Sequence, residues 1–454
     1  MVKNKLKSEQ LIPLSFLVAI IIGTILLLLP IATADGKGTD IITALFTATT
    51  SLCVTGLVVV DSFSYWSLFG KIVILIMIQL GGLGIITVMS VVMLATHRKM
   101  SLGQMVVLHD AFNLSTISGL IKFLKRVFLS TLIVEGIGAV FYCIHFIPEF
   151  GVGKGIWISC FTAISAFCNA GIDIIGPNSL IDYNSSPLIL INTMMLIILG
   201  GLGYVVWFDI ARAFKRGVKK NYSLKLIIKR FSEHTKLVLN VTMFLIVSGA
   251  VAVFALEYNN PETIGNMNLG GKILNSIFQS VTFRTAGFAA VPQQCLTNGT
   301  CALGVLFMFI GGSPVGTAGG VKTITFFVVV LNAISYIRNR KETVVYSRRI
   351  SSDLIQKSTA ILMVSFAVTF VMLILLVATN DINMVDAIYE TFSATATVGL
   401  SRALTPCLNT AGRLVIIVCM YLGRIGPISM ALFFHYHGTE KNNISFVKGN
   451  YFVG

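Results

Sequence analysis

Charged residues are scarce in this chain of 454 residues. They make up 12% of it, about half the fraction that soluble globular proteins carry, whereas hydrophobic residues make up 55%. The mean hydropathy is +0.85. This composition excludes an ordinary soluble domain. It indicates an integral membrane protein whose apolar stretches approach the ~18–20 residues that cross a bilayer.

Clusters of catalytic or metal-binding side chains are also missing from the sequence. The six histidines are scattered, and the eight cysteines show no metal-ligand spacing. Because a membrane enzyme would need a clustered nucleophile, base or metal set, we predict that the chain is not an enzyme and holds no cofactor. Cys295 and Cys301 flank an outward loop, where a disulfide is possible, although pairing does not follow from sequence.

One short pattern occurs four times. An aromatic residue is followed nine or ten positions later by a glycine, with Ser or Thr between them, and the glycines are 115, 116 and 112 residues apart. Four copies at this spacing indicate an internal repeat. The triplets that end in these glycines are Val54-Thr55-Gly56, Asn169-Ala170-Gly171, Thr285-Ala286-Gly287 and Thr397-Val398-Gly399.

The composition of these segments suits an ion site built from backbone. A helix rich in small hydroxyl residues can end at a glycine, which accepts φ > 0 at little steric cost. Four such segments around one axis would form rings of carbonyl oxygens that replace the hydration shell of K⁺. The negative C-terminal end of each preceding helix would favour a cation. We predict that the four triplets form an ion selectivity filter; the alternative is four ordinary helix C-caps, where glycine is common.

Apolar stretches flank each glycine segment, so each repeat reads as membrane helix, half-depth pore helix, filter loop and membrane helix. The repeats are predicted to cover residues 11–95, 120–211, 236–338 and 358–437, followed by a cytoplasmic tail over 438–454. The stretch Leu188–Ala211 is predicted to be a single span. The predicted fold is an all-α membrane protein: four helix–pore-loop–helix repeats around one pseudo-fourfold ion pore, with eight transmembrane helices.

Basic residues are unevenly distributed along the chain. Of the 34 Lys and Arg residues, 25 fall in the connections that hold no glycine segment, together with only 7 of the 19 Asp and Glu residues. Because Lys and Arg near span ends are retained inside, we predict cytoplasmic N and C termini and filters that open to the outside. The net charge of +15 is thereby assigned to a membrane face, and no nucleic-acid partner is expected.

The second span of the third repeat is predicted to be broken, because it is too rich in glycine and contains Pro314. Non-helical backbone at membrane depth is tolerated only where protein buries it or water reaches it. This segment is therefore a candidate gate, with a kink needed only for packing as the alternative. No second broken span is evident, which argues against a carrier built on inverted repeats. The candidate gate residues are Gly311, Gly312, Ser313, Gly316, Thr317, Gly319, Gly320 and Arg424.

Arg424 lies within the last apolar span, where an ionised side chain costs at least ~2.5–3.5 kcal/mol on insertion scales. Such residues face a bundle interior or a water-filled cavity. Below the filter, Arg424 would slow cation passage and could hold or release the broken segment. The alternative is an ion pair with Glu135, itself inside an apolar span.

The chain resembles the TrkH/KtrB/HKT superfamily over nearly its whole length. The resemblance rests on the glycine triplets, the broken segment and Gly423-Arg-Ile-Gly-Pro427. Within the superfamily, the chain resembles the membrane subunits (KtrB or KtrD in type) of Ktr potassium uptake systems. The resemblance implies a pseudo-fourfold pore with filter glycines Gly56, Gly171, Gly287 and Gly399. It also implies an intramembrane gating loop at 311–320 and a cavity arginine at Arg424. The implied partners are a second copy of the chain, membrane lipids, and a cytosolic KtrA-type ring of RCK-domain subunits that binds ATP or ADP.

The resemblance also sets the expected cargo. A serine at the first filter position marks sodium-permeable plant relatives, and this chain has Gly56 there, which favours potassium. We predict sodium-stimulated potassium uptake across the plasma membrane through a channel-like pore, with K⁺ as cargo and Na⁺ as activator. The alternative is a less selective Na⁺/K⁺ transporter on the same fold.

Overall fold

The computed structural model describes residues 8–84 and 120–426. The predicted ends of the first and fourth repeats (85–95 and 427–437), the tail 438–454 and the first seven residues lie outside this part of the chain. Within it, helices dominate. The only named strands among the described residues are β1 (Val344–Val345) and β2 (Arg348–Arg349), which pair antiparallel.

The described α-helices fall into four successive groups, in the order that the repeats predict. The first group is α1 (Ser8–Leu28), α2 (Ile41–Cys53) and α3 (Leu68–Leu83). The second is α4 (Leu120–Phe150), α5 (Val152–Cys168), α6 (Pro187–Leu202), α7 (Tyr204–Lys219) and α8 (Leu224–Lys229). The third is α9 (Glu233–Glu257), α10 (Leu269–Thr282), α11 (Asn298–Phe309) and α12 (Thr323–Ile337). The fourth is α13 (Ser352–Thr379), α14 (Met384–Thr395) and α15 (Thr410–Ile425).

The short second helix of each group, α2, α5, α10 and α14, lies at the centre of the molecule. The aromatic residue that opens each sequence pattern is fully buried on these helices, at Phe46, Phe161, Phe278 and Tyr389. Side-chain caps fix three of the helix starts, since Asp40, Asn268 and Asn383 each accept a backbone N–H of the first turn. The outer helices α1, α4, α9 and α13 instead expose many apolar side chains, as helices in contact with lipid do.

The described helices differ in length. Among the described helices, three are long and apolar enough to cross a membrane alone: Lys122–Phe150 of α4, α9 and α13. The helices α3, α6 and α15 have 16 residues each, which is about 24 Å. Each of them ends at a glycine with positive φ, namely Gly84, Gly203 and Gly426.

The prediction that Leu188–Ala211 forms a single span is wrong. The chain breaks at Gly203, where φ is +85°, and α7 leaves α6 at an angle of 96°. The third repeat is therefore not the only one with a broken second span, and the argument from a single break against a carrier does not hold.

Candidate ion pathway

The central helices α2, α5, α10 and α14 lead into the four predicted triplets, which share one backbone pattern. The first residue of each triplet has a positive φ, between 51° and 67°, and so does the glycine two positions later, between 63° and 98°. Left-handed backbone is uncommon for residues with a side chain. Its recurrence at the same place in all four repeats indicates one imposed geometry. The first residues are Val54, Asn169, Thr285 and Thr397.

The four triplets meet at their glycines, which we call the glycine ring (Gly56, Gly171, Gly287 and Gly399). A Cβ atom added to any ring glycine would lie 2.7 Å or less from a backbone carbonyl oxygen of the next repeat. Because of the positive φ and this close approach, a side chain at any of these positions would be strained and would displace the neighbouring carbonyl. The carbonyls belong, in the order of the glycines, to Ala170, Ala286, Val398 and Thr55, so the ring closes in chain order from the fourth repeat back to the first.

Hydroxyl groups of the central helices hold the backbone around the ring. The N–H groups of Gly56 and Gly399 donate to Thr50 Oγ1 (3.0 Å) and Ser393 Oγ (3.1 Å). In the other two repeats the hydroxyl is the donor: Ser165 Oγ donates to the Ile172 carbonyl (2.5 Å) and Thr282 Oγ1 to the Phe288 carbonyl (2.6 Å). Sequence reasoning noticed that Ser or Thr recurs in this pattern, but it did not single out these four residues.

Three further hydroxyls lie in the triplets without a partner. Thr55, Thr285 and Thr397 are fully buried, and their Oγ1 atoms have no hydrogen-bond partner in the described part of the chain. A buried polar oxygen left unpaired costs free energy. These oxygens and the carbonyls of the ring are hard donors of the kind that a dehydrated alkali cation needs.

The predicted gate segment is an irregular loop between α11 and α12 (residues 310–322; hereafter the gate loop). It packs against the end of α6: Ser313 N–H donates to the Gly201 carbonyl (2.8 Å) and Thr317 N–H to the Gly200 carbonyl (3.1 Å). The Thr317 hydroxyl donates to the Phe167 carbonyl at the end of α5 (3.0 Å). The loop is thus fixed directly below the glycine ring. A kink in a continuous helix does not describe it.

Glycines of the gate loop occur where backbone and side chains crowd it. A Cβ atom on Gly316 would lie 2.9 Å from the Gly200 carbonyl oxygen, and Gly320 has a φ of +67°. A Cβ atom on Gly319 would collide with Thr397 Oγ1 of the fourth triplet. Gly311 and Gly312 are similarly crowded, by Gly319 and Ala318.

Arg424 contacts the gate loop and not Glu135. Its guanidinium donates to the Thr317 carbonyl (2.6 Å) and to the Gly81 carbonyl at the end of α3. Glu135 instead accepts a hydrogen bond from Gln79 Nε2 (3.2 Å). A second cationic side chain, Lys322, donates to the Ala318 carbonyl of the same loop.

A cavity of about 370 Å³ lies beside the gate loop and below the ring. Its wall includes Arg424, Lys322, residues 81–84, Gly423, Thr395 at the end of α14, and Ala396. The cavity joins the underside of the fourth triplet to the gate loop, and two positive side chains line it.

On the opposite side of the ring, polar contacts tie the third and fourth repeats together. Arg402 pairs with Asp386 (2.6 Å) and donates to the Leu296 carbonyl (3.2 Å). Cys301 Sγ lies 2.7 Å from Arg402 Nη1. Cys295 and Cys301 are both free thiols, so the disulfide considered from the sequence is not formed in this structure.

Comparison with known proteins gives consistent results. A family model for the cation transport protein TrkH matches residues 7–444. The Ktr system potassium uptake protein B of Bacillus subtilis is 39% identical, over 98% of this chain and 96% of its own. The potassium/sodium uptake protein NtpJ of Enterococcus hirae is 34% identical, over 94% of this chain and 93% of its own.

The fold also matches a solved structure. The potassium transporter TrkH from Vibrio parahaemolyticus superposes with a TM-score of 0.73 at 17% identity, covering 96% of this chain and 86% of that one. This likeness shows a shared all-α fold, and the apolar helices are those of a multi-pass membrane protein. The chain belongs to the TrkH family of cation transport proteins.

Proposed function

We propose that this protein takes up potassium across the plasma membrane through a pathway that passes the glycine ring. The observation that carries the proposal is the closure of the ring, in which each repeat places a backbone carbonyl against the glycine of its neighbour. The printed names of two relatives, potassium uptake protein B and potassium/sodium uptake protein NtpJ, support the choice of cargo.

The ring would act on K⁺ by replacing its hydration shell with fixed oxygens. The carbonyl ends of α2, α5, α10 and α14 point toward this region and add negative potential. The unpaired hydroxyls of Thr55, Thr285 and Thr397 are further candidate ligands. Because the hydroxyls of the central helices hold the backbone rigidly, the oxygens need little reorganisation when the ion arrives.

The gate loop and Arg424 would form the barrier below the ring. The loop is hydrogen-bonded to Gly200, Gly201 and Phe167, and Arg424 adds a fixed positive charge and a further bond to it. Passage of a cation requires that the loop leave this position. The closed arrangement is therefore stabilised by contacts that a regulator could break.

The regulator and the assembly belong to the same proposal. A relative named as part of a Ktr system supports a protein with more than one component. We infer a homodimer that binds a cytosolic KtrA-type ring of RCK-domain subunits, which holds ATP or ADP. Na⁺ acts as activator, and both termini of this chain face the cytoplasm. The excess of Lys and Arg in the connections between repeats supports this orientation.

A less selective Na⁺/K⁺ pathway is the second candidate, and the name of the Enterococcus relative favours it. One experiment separates the two. Potassium and sodium uptake is measured in a bacterium that lacks its own potassium uptake, with and without a Ktr-type cytosolic partner. The variants are Gly56→Ser, in the ring, and Gly176→Ser as matched control, since a Cβ at Gly176 meets no atom within 4 Å.

We expect the wild type and Gly176→Ser to restore growth at low potassium and to exclude sodium, and Gly56→Ser to admit sodium. Equal uptake of both ions by the wild type would favour the less selective pathway. Absence of potassium uptake with and without the partner would refute the proposed function while leaving family membership intact.

A further inference from the structure

The segment after the break at Gly203 has features that potassium permeation does not explain. We call α7 and α8, residues 204–231, the α7–α8 arm. The helix α6 is 16 residues long, about 24 Å, which is shorter than a hydrocarbon core of ~30 Å, and its last residues pack against the gate loop. The helix α7 leaves α6 at an angle of 96°. Because Asp209 is hydrogen-bonded to Ser232 and Thr235 at the start of the span α9, the rest of α7 is at the level where that span begins, which is the membrane boundary.

The outer half of α7 is amphipathic. Its basic side chains recur at helical spacing on one side, at Arg212, Lys215, Arg216 and Lys219, and all four are exposed. Apolar residues lie between them on the other side, where Val218 is 73% exposed and Phe214 is also exposed. Exposed apolar residues next to exposed cations are typical of helices in the plane of the membrane interface.

The helix α8 continues the same surface. Leu224 is 67% exposed, and Leu226 and Ile228 are exposed as well. The basic residues Lys220, Lys225, Lys229 and Arg230 accompany them and are exposed. None of the Lys and Arg residues of the arm forms an ion pair with a described acidic residue, so no salt bridge within the described ranges neutralises these eight charges. The Arg230 guanidinium lies over the Tyr222 ring, 4.3 Å from its centroid.

The α7–α8 arm packs against the rest of the protein. Gly217 lets Ile227 pack closely against α7, and the rings of Phe214 and Phe231 approach to 6.5 Å. Asp209 accepts hydrogen bonds from Ser232 N–H (2.9 Å) and the Thr235 hydroxyl (2.8 Å) at the start of α9. The exposed surface therefore has a fixed orientation.

We propose that the α7–α8 arm is a docking surface for anionic phospholipids of the membrane leaflet. The exposed apolar side chains enter the acyl boundary, and the basic side chains bind the phosphate-bearing headgroups. Each Lys or Arg near an anionic leaflet strengthens such binding. A soluble acidic protein would match the charges but would leave Val218, Leu224 and Ile228 without an apolar environment, which is why lipid is the occupant that fits.

The arm also borders the gate loop. Tyr204 N–H, the first of α7, donates to the Val315 carbonyl (3.1 Å). A Cβ atom on Gly203 would collide with the Pro314 carbonyl oxygen. Lipid bound at the arm thus contacts an element that is hydrogen-bonded to the loop.

The test uses the full chain, purified without any partner subunit and reconstituted into vesicles. The substitution Val218→Trp introduces a reporter at the exposed apolar surface. Its fluorescence is measured, as a difference from the wild type, in vesicles that contain brominated phosphatidylglycerol or brominated phosphatidylcholine as a minor component. The arm variant carries Lys215→Gln, Arg216→Gln and Lys219→Gln. The matched control carries Arg338→Gln, Arg340→Gln and Lys341→Gln, three exposed basic residues after α12.

We expect brominated phosphatidylglycerol to quench the reporter at a lower fraction than brominated phosphatidylcholine. The arm variant should reduce this preference roughly ten-fold or more, and the control should leave it unchanged. Equal quenching by the two lipids in the unsubstituted background, or an undiminished preference in the arm variant, would overturn the proposal.

A second variant tests the apolar contribution separately. Ile228→Asp should weaken quenching by both lipids, since it places a charge at the acyl boundary. If the arm variant keeps its lipid preference but loses capture of a cytosolic partner subunit, the surface docks a protein and the lipid proposal fails. None of these readouts depends on ion flux, so they stand apart from the outcome for potassium uptake.

Discussion

The Arg424 guanidinium donates a 2.6 Å hydrogen bond to the Thr317 carbonyl, 107 residues away in the chain. Its other terminal nitrogen donates to the Gly81 carbonyl of the first repeat. One side chain of the fourth repeat therefore fastens the gate loop of the third to the end of α3. Because Arg424 is bound to the gate loop, its guanidinium charge lies at the loop, where we propose the barrier to cation passage.

The first prediction concerns this bond. Arg424→Gln should raise potassium flux in the absence of any cytosolic partner, because the loop loses a charge-assisted hydrogen bond, about 1.5–3 kcal/mol, and the barrier loses its positive charge. Rubidium uptake into vesicles containing the purified chain measures the flux. Arg413→Gln is the control, since Arg413 lies on the same helix but donates to the Pro406 carbonyl at the other end. Flux equal to that of the wild type would contradict the barrier role of Arg424.

The second prediction concerns the hydroxyls behind the ring. Thr50→Val should lower the preference for K⁺ over Na⁺, because the buried N–H of Gly56 loses its acceptor at a cost of about 1–3 kcal/mol. Thr49→Val is the matched control: the Thr49 hydroxyl only donates to the Leu45 carbonyl of its own helix. Competition between labelled rubidium and sodium in vesicles measures the preference. Equal effects of the two variants would show that the loss of the hydrogen bond to the Gly56 N–H does not determine the preference for K⁺.

The ring glycines could be predicted because the backbone conformation at these positions favours glycine, so the residue type itself indicates the conformation. Glycine is the residue that fits without strain where φ is positive and where an added Cβ atom would lie within 2.7 Å of a carbonyl oxygen, and Gly56 and Gly399 meet both conditions. The gate loop was also predictable, since its density of glycine around Pro314 does not suit a helix. Local composition sufficed in both places.

The partners of single side chains could not be predicted in the same way. Arg424 had two candidate roles, and its partners at Thr317 and Gly81 depend on how α3 and α15 pack around the loop. The break at Gly203 did not follow from the sequence because glycines such as Gly200, Gly201 and Gly203 within the largely apolar stretch Leu188–Ala211 are compatible with close packing of a straight membrane helix. The bend is set by contact with the gate loop, which sequence does not reveal.

The third prediction concerns the junction between the third and fourth repeats. Arg402→Ala should destabilise the protein by about 2–4 kcal/mol, because it removes a charge-assisted bond to Asp386 and a bond to the Leu296 carbonyl. The side chains of this pair are only 14% and 30% exposed. Arg348→Ala is the control: it breaks an ion pair with Glu233 whose members are 75% and 49% exposed, and such pairs contribute about 0–1 kcal/mol. Thermal unfolding in detergent measures the loss of stability in each of the two variants. A smaller loss for Arg402→Ala than for Arg348→Ala would contradict the bracing role.

The fourth prediction concerns the start of the first central helix and its dependence on pH. Partial desolvation raises the pKa of the Asp40 carboxyl, but hydrogen bonds from the Thr43 N–H and hydroxyl outweigh it and leave the pKa below its ordinary value of 3.8. Because the pKa is lower in the folded state, the ionised carboxyl contributes stability that is fully present above about pH 4. This contribution is lost as the pH falls through the lowered value.

Asp40→Ala should therefore cost about 1 kcal/mol near pH 7. Asp40→Asn keeps a side-chain oxygen that can cap the helix but cannot ionise, so it should cost less than Asp40→Ala, and residue 40 itself no longer contributes to the dependence of stability on pH. The free energy of unfolding of the wild type and of Asp40→Asn is measured between pH 3 and pH 7. The difference between the two free energies should become smaller toward pH 3. A difference that stays constant over this range would mean that the carboxyl acts only as a neutral hydrogen-bond acceptor, and that its charge contributes nothing to holding α2 beneath the outer surface.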